Sequence, residues 1–240
     1  MTVTPESLSD RVDALEVLLF DLDGTLIDTI EMIMASARYA TEVVLGEALP
    51  DDVLRHNIGV PLVAQMEEYA PGRSAELLKV YREHNARVHD EMIREFPGVD
   101  GALRLLLARG YRMGIVTSKS RPVAQRGLDC FGLRDLFEVL VGYEDTMVHK
   151  PDPCPVLEAA SRLGVSAEKC LYCGDSPHDM EAGIAAGVLT AAALWGPFAE
   201  RVLEPGPDFA LASMDNLVDL LGEGEKRYRL QGSLRNRPPA

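Results

Sequence analysis

A chain of 240 residues, 47% of them apolar, has the composition of a soluble globular protein and is longer than one average domain, so a core carrying a smaller insert is expected. Its 38 acidic residues against 24 basic ones give a formal net charge of −14, which excludes a general nucleic-acid-binding or anionic-membrane-binding surface. An anionic substrate would have to meet a local basic pocket or a metal ion.

Met1 to Glu16 is polar and carries acids, unlike the basic start and apolar stretch of a secretory signal, so a cytoplasmic protein is expected. Val17 to Phe20 reads as the first buried strand, and it breaks into Asp21-Leu22-Asp23-Gly24-Thr25. Side chains two apart on a strand share a face, so both acids are expected at one reacting centre, with Gly24 allowing a tight turn at positive φ. One acid can serve as nucleophile or metal ligand while its neighbour handles protons.

The next seventy or so residues show no strand-like run before Phe96-Pro97-Gly98. Ile30, Ile33, Met34, Ala37 and Val44 recur at helical spacing, as do Leu77, Tyr81, His84 and Val88. Such a stretch is too long for a loop and predicts a helical cap of residues 30–95, inserted into a core made of residues 1–29 and 96–225. Its methionines read as core filler. Of its histidines, His84 on the apolar stripe reads as a packing residue.

Beyond the insert, strands are predicted at Arg112 to Thr117, Val139 to Val141, Cys170 to Cys173, Val188 to Leu194 and Asp208 to Leu211. Helices fall between them at about Val99 to Ala108, Pro122 to Cys130, Pro153 to Leu163, Pro177 to Ala186 and Met214 to Leu221. Glycines stand at the expected helix ends and prolines at the first turns. The fold class is α/β, a doubly wound parallel sheet with an inserted all-helical cap. The uncharged run Ala182 to Ala199 contains Gly183, Gly187, Gly196 and Pro197, and reads as a helix end, a turn and a buried strand rather than a membrane span. Cys170 and Cys173, in an apolar run, read as buried reduced thiols with Cys130 and Cys154. Residues 226–240 hold five cations and no acid and are expected to form a disordered basic tail.

In an open α/β sheet, ligands bind beyond the carboxyl ends of the strands. Each such end here holds polar residues in turn: Asp21 and Asp23, Thr117-Ser118-Lys119, His149-Lys150-Pro151-Asp152, and Gly174-Asp175-Ser176-Pro177-His178-Asp179. Taken singly, Thr117 reads as a helix cap, Lys150 as a solvated turn, and Ser176 to Asp179 as a capping arrangement. Together and in this order, they form a set.

That set, over about residues 16–222, resembles the haloacid dehalogenase superfamily, in the branch of phosphoglycolate phosphatases and related pyrophosphatases with a helical cap. The resemblance implies an Mg²⁺-dependent phosphatase acting on a small phosphorylated metabolite, with phosphoglycolate the first candidate and pyrophosphate close behind. It implies Asp21 as the nucleophile that becomes an aspartyl-phosphate, and Asp23 as the acid and base at the leaving oxygen and the water. Thr117 and Ser118 would hold the phosphoryl oxygens, and Lys150 would balance charge. Asp21, Asp175 and the Asp23 backbone carbonyl would hold Mg²⁺, with Asp179 supporting them. None of His56, His84, His89, His149 and His178 is required, though His178 could touch the rim. Asn57 to Leu62 resembles a cap segment of the same branch. There Gly59 would let the loop approach the leaving group and Arg55 or His56 would contact an anion; an ordinary helix-to-helix turn is an equal reading. The alternatives are a β-phosphoglucomutase-like mutase, which would carry a histidine where Ile33 stands, and a non-catalytic binding protein. Partners other than a small molecule are not expected, and the oligomeric state is not readable.

Overall fold

The computed structural model describes residues 7–222; the basic segment 226–240 lies outside them. In chain order, α1 (Leu8–Asp13) leads into β1 (Val17–Phe20) and β2 (Ile27–Asp28). Four helices follow, α2 (Ile30–Leu45), α3 (Asp51–His56), α4 (Leu62–Tyr69) and α5 (Ser74–Met92), and then β3 (Arg94–Glu95). The remainder alternates: α6 (Val99–Ala108), β4 (Arg112–Val116), α7 (Arg121–Cys130), β5 (Val139–Val141), α8 (Cys154–Leu163) and β6 (Cys170–Gly174). It closes with α9 (Pro177–Ala186), β7 (Leu189–Ala193), β8 (Phe209–Leu211) and α10 (Met214–Leu220).

Six strands form one parallel sheet in the order β5-β4-β1-β6-β7-β8. Every residue of β1 is buried because both faces of the sheet are covered. Leu18 and Phe20 pack with Leu103, Leu106 and Leu217 of α6 and α10, whereas Val17 and Leu19 pack with Val156, Ala159 and Ala182 of α8 and α9. The same alternation separates the cysteines of β6. Cys173 joins the first layer and Cys170 the second, so the two buried thiols point to opposite faces.

Helices α2 to α5 pack around their own cluster, which includes Met34, Leu54, Met66, Leu77 and Tyr81. Two features differ from the sequence expectation. The strandless stretch begins and ends on an antiparallel ribbon that pairs Ile27 with Glu95 and Asp28 with Arg94; two residues are too few for alternation to reveal. The buried face of α5 runs through Leu77, Tyr81, Asn85 and His89, while His84 lies half-buried and stacks on Tyr39 at 4.5 Å. The run from Ala182 to Ala199 is the end of α9, a turn and β7. Among the described residues no helix is long and apolar enough to cross a membrane.

The layer packing predicts a contrast within α6, where Leu106 is 0% exposed and Leu105 is 44% exposed. Leu106→Ala is expected to cost about 2–5 kcal/mol, and Leu105→Ala within about 0.5 kcal/mol, by chemical denaturation.

Candidate active site

Register sets the site. Phe20 lies opposite both Ile115 and Cys173, so the chain ends of β1, β4 and β6 arrive at one level. Asp21 continues the ladder by donating its N–H to the Cys173 carbonyl at 2.9 Å. The loop then turns at Gly24, whose φ is +85°; a Cβ there would lie 2.5 Å from Asp175 Oδ2. Thr25 follows and donates its hydroxyl to Asp175 Oδ1 at 2.9 Å, while the Trp195 indole N–H donates to the Thr25 carbonyl at 2.9 Å. The first and fourth loops are thereby tied together.

Lys150 comes from the loop before α8, and its side chain is 4% exposed. It donates to Asp21 Oδ1 at 2.8 Å, Asp179 Oδ1 at 2.6 Å and the Tyr172 hydroxyl at 3.1 Å. Asp179 also receives the Tyr172 hydroxyl at 2.8 Å, and its other oxygen takes the backbone N–H and hydroxyl of Ser176 in the α9 capping box. Its carboxylate is thus fully engaged by protein donors. By contrast, no protein group donates to Oδ2 of Asp21 or of Asp175 among the described residues.

The charges do not balance. Ligand oxygens of Asp21, Asp175 and Asp179 lie within 4.8 Å of one another, all three residues buried, with one ammonium among them. Burial opposes the Asp179 carboxylate, but Lys150 and the hydrogen bonds from Lys150, Ser176 and Tyr172 outweigh it and hold the group below its usual range. Burial likewise opposes the Lys150 ammonium, and Asp179 and Asp21 overcome that and raise its pKa. Asp21 is pushed up to about 7 by burial, against the pull of Lys150. Burial, then Asp21 and Asp179, raise Asp175 well above the carboxylate range. One lysine therefore keeps one carboxylate ionised, and a second cation is needed for the others. Two oxygen donors with no protein partner fit a hard divalent ion.

Asp23 stands apart from this cluster. Its Oδ1 accepts from the Thr29 hydroxyl at 2.5 Å and from Lys119 Nζ at 2.5 Å. Thr117 extends β4 by donating its N–H to the Val141 carbonyl, and the Ser118 hydroxyl reaches the Gly59 carbonyl of the cap at 3.0 Å. Asp23, Lys119, Thr117 and Ser118 floor a chamber of about 370 Å³, lined opposite by Ile33, Ile58, Gly59, Val60, Tyr81, Asn85 and His89.

Asp21, Asp23, Thr117, Ser118, Lys150 and Asp175 thus share one chamber with Gly59, and Asp179 lies directly behind Lys150. Arg55 and His56 do not belong to it. α3 buries only Leu54, so its last two residues face solvent, Arg55 3.6 Å from Glu31, and it is the following turn that meets the core. His178 and His149 are not in the lining either, His149 stacking on Tyr143. Tyr172, Lys119, Thr29 and the Tyr81–Asn85–His89 stripe were given no role in the chemistry from sequence, Tyr81 being read only as a position on a helical repeat and His89 as not required. Tyr172 sits in an apolar strand and gives no signal; the stripe does, as three hydrogen-bonding residues at i, i+4 spacing.

The family model of the haloacid dehalogenase-like hydrolases matches residues 18–193. Pyrophosphatase PpaX of Listeria monocytogenes is 38% identical over 216 residues, covering 87% of this chain and 97% of that protein. Pyrophosphatase PpaX of Halalkalibacterium halodurans is 36% identical, covering 87% and 97%. Among solved structures, one described as a predicted phosphoglycolate phosphatase from Haemophilus somnus superposes with a TM-score of 0.81 at 21% identity, covering 86% of this chain and 98% of that one. A haloacid dehalogenase-like family hydrolase from Streptococcus pneumoniae gives 0.77 at 23% identity, covering 86% and 98%. At those identities the two structures show a shared fold.

Two outcomes follow from the charge imbalance. Lys150→Met strands buried carboxylates and is expected to cost about 3–5 kcal/mol in metal-free protein, read by chemical denaturation. Asp21 binds its proton more tightly folded than unfolded, so the stability it contributes to metal-free protein falls as pH rises from near 3.8 through about 7. A divalent ion competes with that proton, so the rise in Tm on adding Mg²⁺ should be larger at about pH 8 than at about pH 5.5.

Proposed function

The chain belongs to the haloacid dehalogenase-like hydrolases, and from that membership we propose that it is an Mg²⁺-dependent phosphatase that hydrolyses a small phosphorylated metabolite through an aspartyl-phosphate on Asp21. The observation that carries this reading is the arrangement of Lys150, 2.8 Å from Asp21 and 2.6 Å from Asp179, beside Asp175 in a buried cluster short of positive charge. Such a cluster suits a phosphoryl group only when cations accompany it.

Asp21 attacks phosphorus with a carboxylate oxygen, forming the acyl-phosphate bond as the bond to the leaving oxygen breaks. Asp23 gives that oxygen a proton. Its Oδ1 is held by Thr29 and Lys119, which leaves Oδ2 for the transfer. Asp23 then takes a proton from a water that attacks phosphorus, inorganic phosphate departs, and Asp21 is regenerated. Thr117 and Ser118 bind phosphoryl oxygens at the end of β4, and Lys150 neutralises charge gathering at Asp21. Asp179 and Tyr172 fix the ammonium against that oxygen. Asp21, Asp175 and the Asp23 backbone carbonyl would hold Mg²⁺, which supplies electrostatic stabilisation of the phosphoryl oxygens.

Ile33 lines the chamber where a mutase of this superfamily would carry a histidine, which favours hydrolysis over transfer. The names of the relatives favour pyrophosphate among the substrates, beside a phosphoglycolate-like monoester. The proposal takes residues 1–29 and 96–225 as the core and 30–95 as the cap.

The test is phosphate release from pyrophosphate, phosphoglycolate and a panel of other monoesters. Turnover by the wild type should fall by about 10³-fold or more in Asp21→Asn and disappear in excess chelator. Retained activity in Asp21→Asn would remove the nucleophile assignment; transfer between hydroxyls of one sugar would install the mutase.

A further inference from the structure

The cap wall of the chamber carries a buried histidine that the reaction above leaves unused. His89, in the last turn of α5, is 1% exposed. Its Nδ1 lies 2.7 Å from Asp90 Oδ1. A carboxylate only accepts, so Nδ1 carries the hydrogen and the neutral ring presents Nε2 as a bare acceptor. Asp90 is itself fixed by Arg126 at 2.9 Å, and that ion pair, with the His89 hydrogen bond, holds the carboxyl at about 2. The tautomer is therefore pinned by Asp90, which does not line the chamber.

Nε2 is buried and has no hydrogen-bond partner among the described residues. Orphaned buried acceptors are rare and mark places where a ligand or water belongs. Gly127 of α7 passes the ring without a side chain, and even a Cβ added there would remain 3.9 Å from Nε2. His89 lines the same chamber as the catalytic acids, one helical turn beyond Asn85 and two beyond Tyr81. Lys119, which is paired with Asp23, and Arg126, which is paired with Asp90, line that chamber with it. Asp23 is where the leaving oxygen would receive its proton.

We propose that His89 is a substrate-contacting residue whose Nε2 accepts a hydrogen bond from a hydroxyl on the leaving group. This assignment rests on the phosphatase reading above. The hydroxyl has two chemical sources, an alcohol O–H on an organic leaving group or the P–O–H of a singly protonated phosphate leaving pyrophosphate.

The experiment compares wild type, His89→Asn and His89→Gln on pyrophosphate, glycerol phosphate and methyl phosphate with Mg²⁺, with kcat and KM measured separately and Tm recorded for each protein. Asn keeps a donor for Asp90 and loses the group at Nε2, whereas Gln can place an amide oxygen near the lost acceptor. His89→Asn should raise KM by about 10- to 100-fold on whichever hydroxyl-bearing leaving group the enzyme accepts. Methyl phosphate, whose leaving group has no second hydroxyl, should be unaffected, and His89→Gln should recover most of the loss. Pyrophosphate responding alone names the phosphate source; glycerol phosphate responding alone names the alcohol. Unchanged kinetics in His89→Asn, or an equal loss on all three compounds, overturns the assignment and leaves the phosphatase reading standing. A wild type that releases phosphate from none of the three removes this assignment, and the phosphatase reading falls only if the wider panel above is not hydrolysed either.

Discussion

One ammonium organises this molecule's chemistry. Lys150 Nζ touches groups carried by β1, β6 and α9 at once, through Asp21, Tyr172 and Asp179, and sits 3.4 Å from the Val116 carbonyl of β4. Removing a charge from water is costly, and the ion is tolerated because its hydrogens are all spoken for and two carboxylates face it. Those partners in turn require the sheet register that brings β1, β4 and β6 to a common level. Packing of the two helical layers therefore serves the site directly. It fixes the strand ends, and the strand ends fix the charges.

The same constraint explains why the site is incomplete as protein alone. Asp179 satisfies Lys150, and burial raises the proton affinities of Asp21 and Asp175. Such a site favours cations, and tolerates an oxyanion only in their company. A protein with net charge −14 attracts no phosphate at long range, so selectivity for a phosphorylated molecule has to arise within the chamber itself.

The cap decides what that chamber can hold. It joins the core through a ribbon of two residues on each side, meets it again where Ser118 reaches the Gly59 carbonyl, and takes Phe198 of the core into its own apolar cluster. The result is a polar floor beneath a mixed roof, in which Ile33, Ile58 and Val60 supply apolar contact and the Tyr81–Asn85–His89 stripe supplies the polar groups. A roof of this kind limits water in the chamber and, in the proposed reaction, would leave recognition of the leaving group to the cap helices.

Hydrophobic patterning in the sequence determined the α/β alternation, the helical character of the insert and the identity of the strand-end residues, because burial on both faces produces continuous apolar runs and the residues after them have no packing role to explain them. Asp21, Asp23, Thr117, Lys150 and Asp175 were legible for that reason. Other features needed three dimensions. The two-residue ribbon is shorter than any period, Tyr172 is indistinguishable from core in its strand, and Arg55 and His56 looked like anion contacts only because the direction of α3 is not written in its residues. The choice of His89 over His84 was decided by packing. Both lie on one helix, five residues apart, and the packing of α5 buries His89 beside Gly127 of α7 while His84 stays half-buried against Tyr39. Sequence names the chemistry because chemistry belongs to single residues; which groups meet, and which are left without a partner, depends on distances between elements remote in the chain.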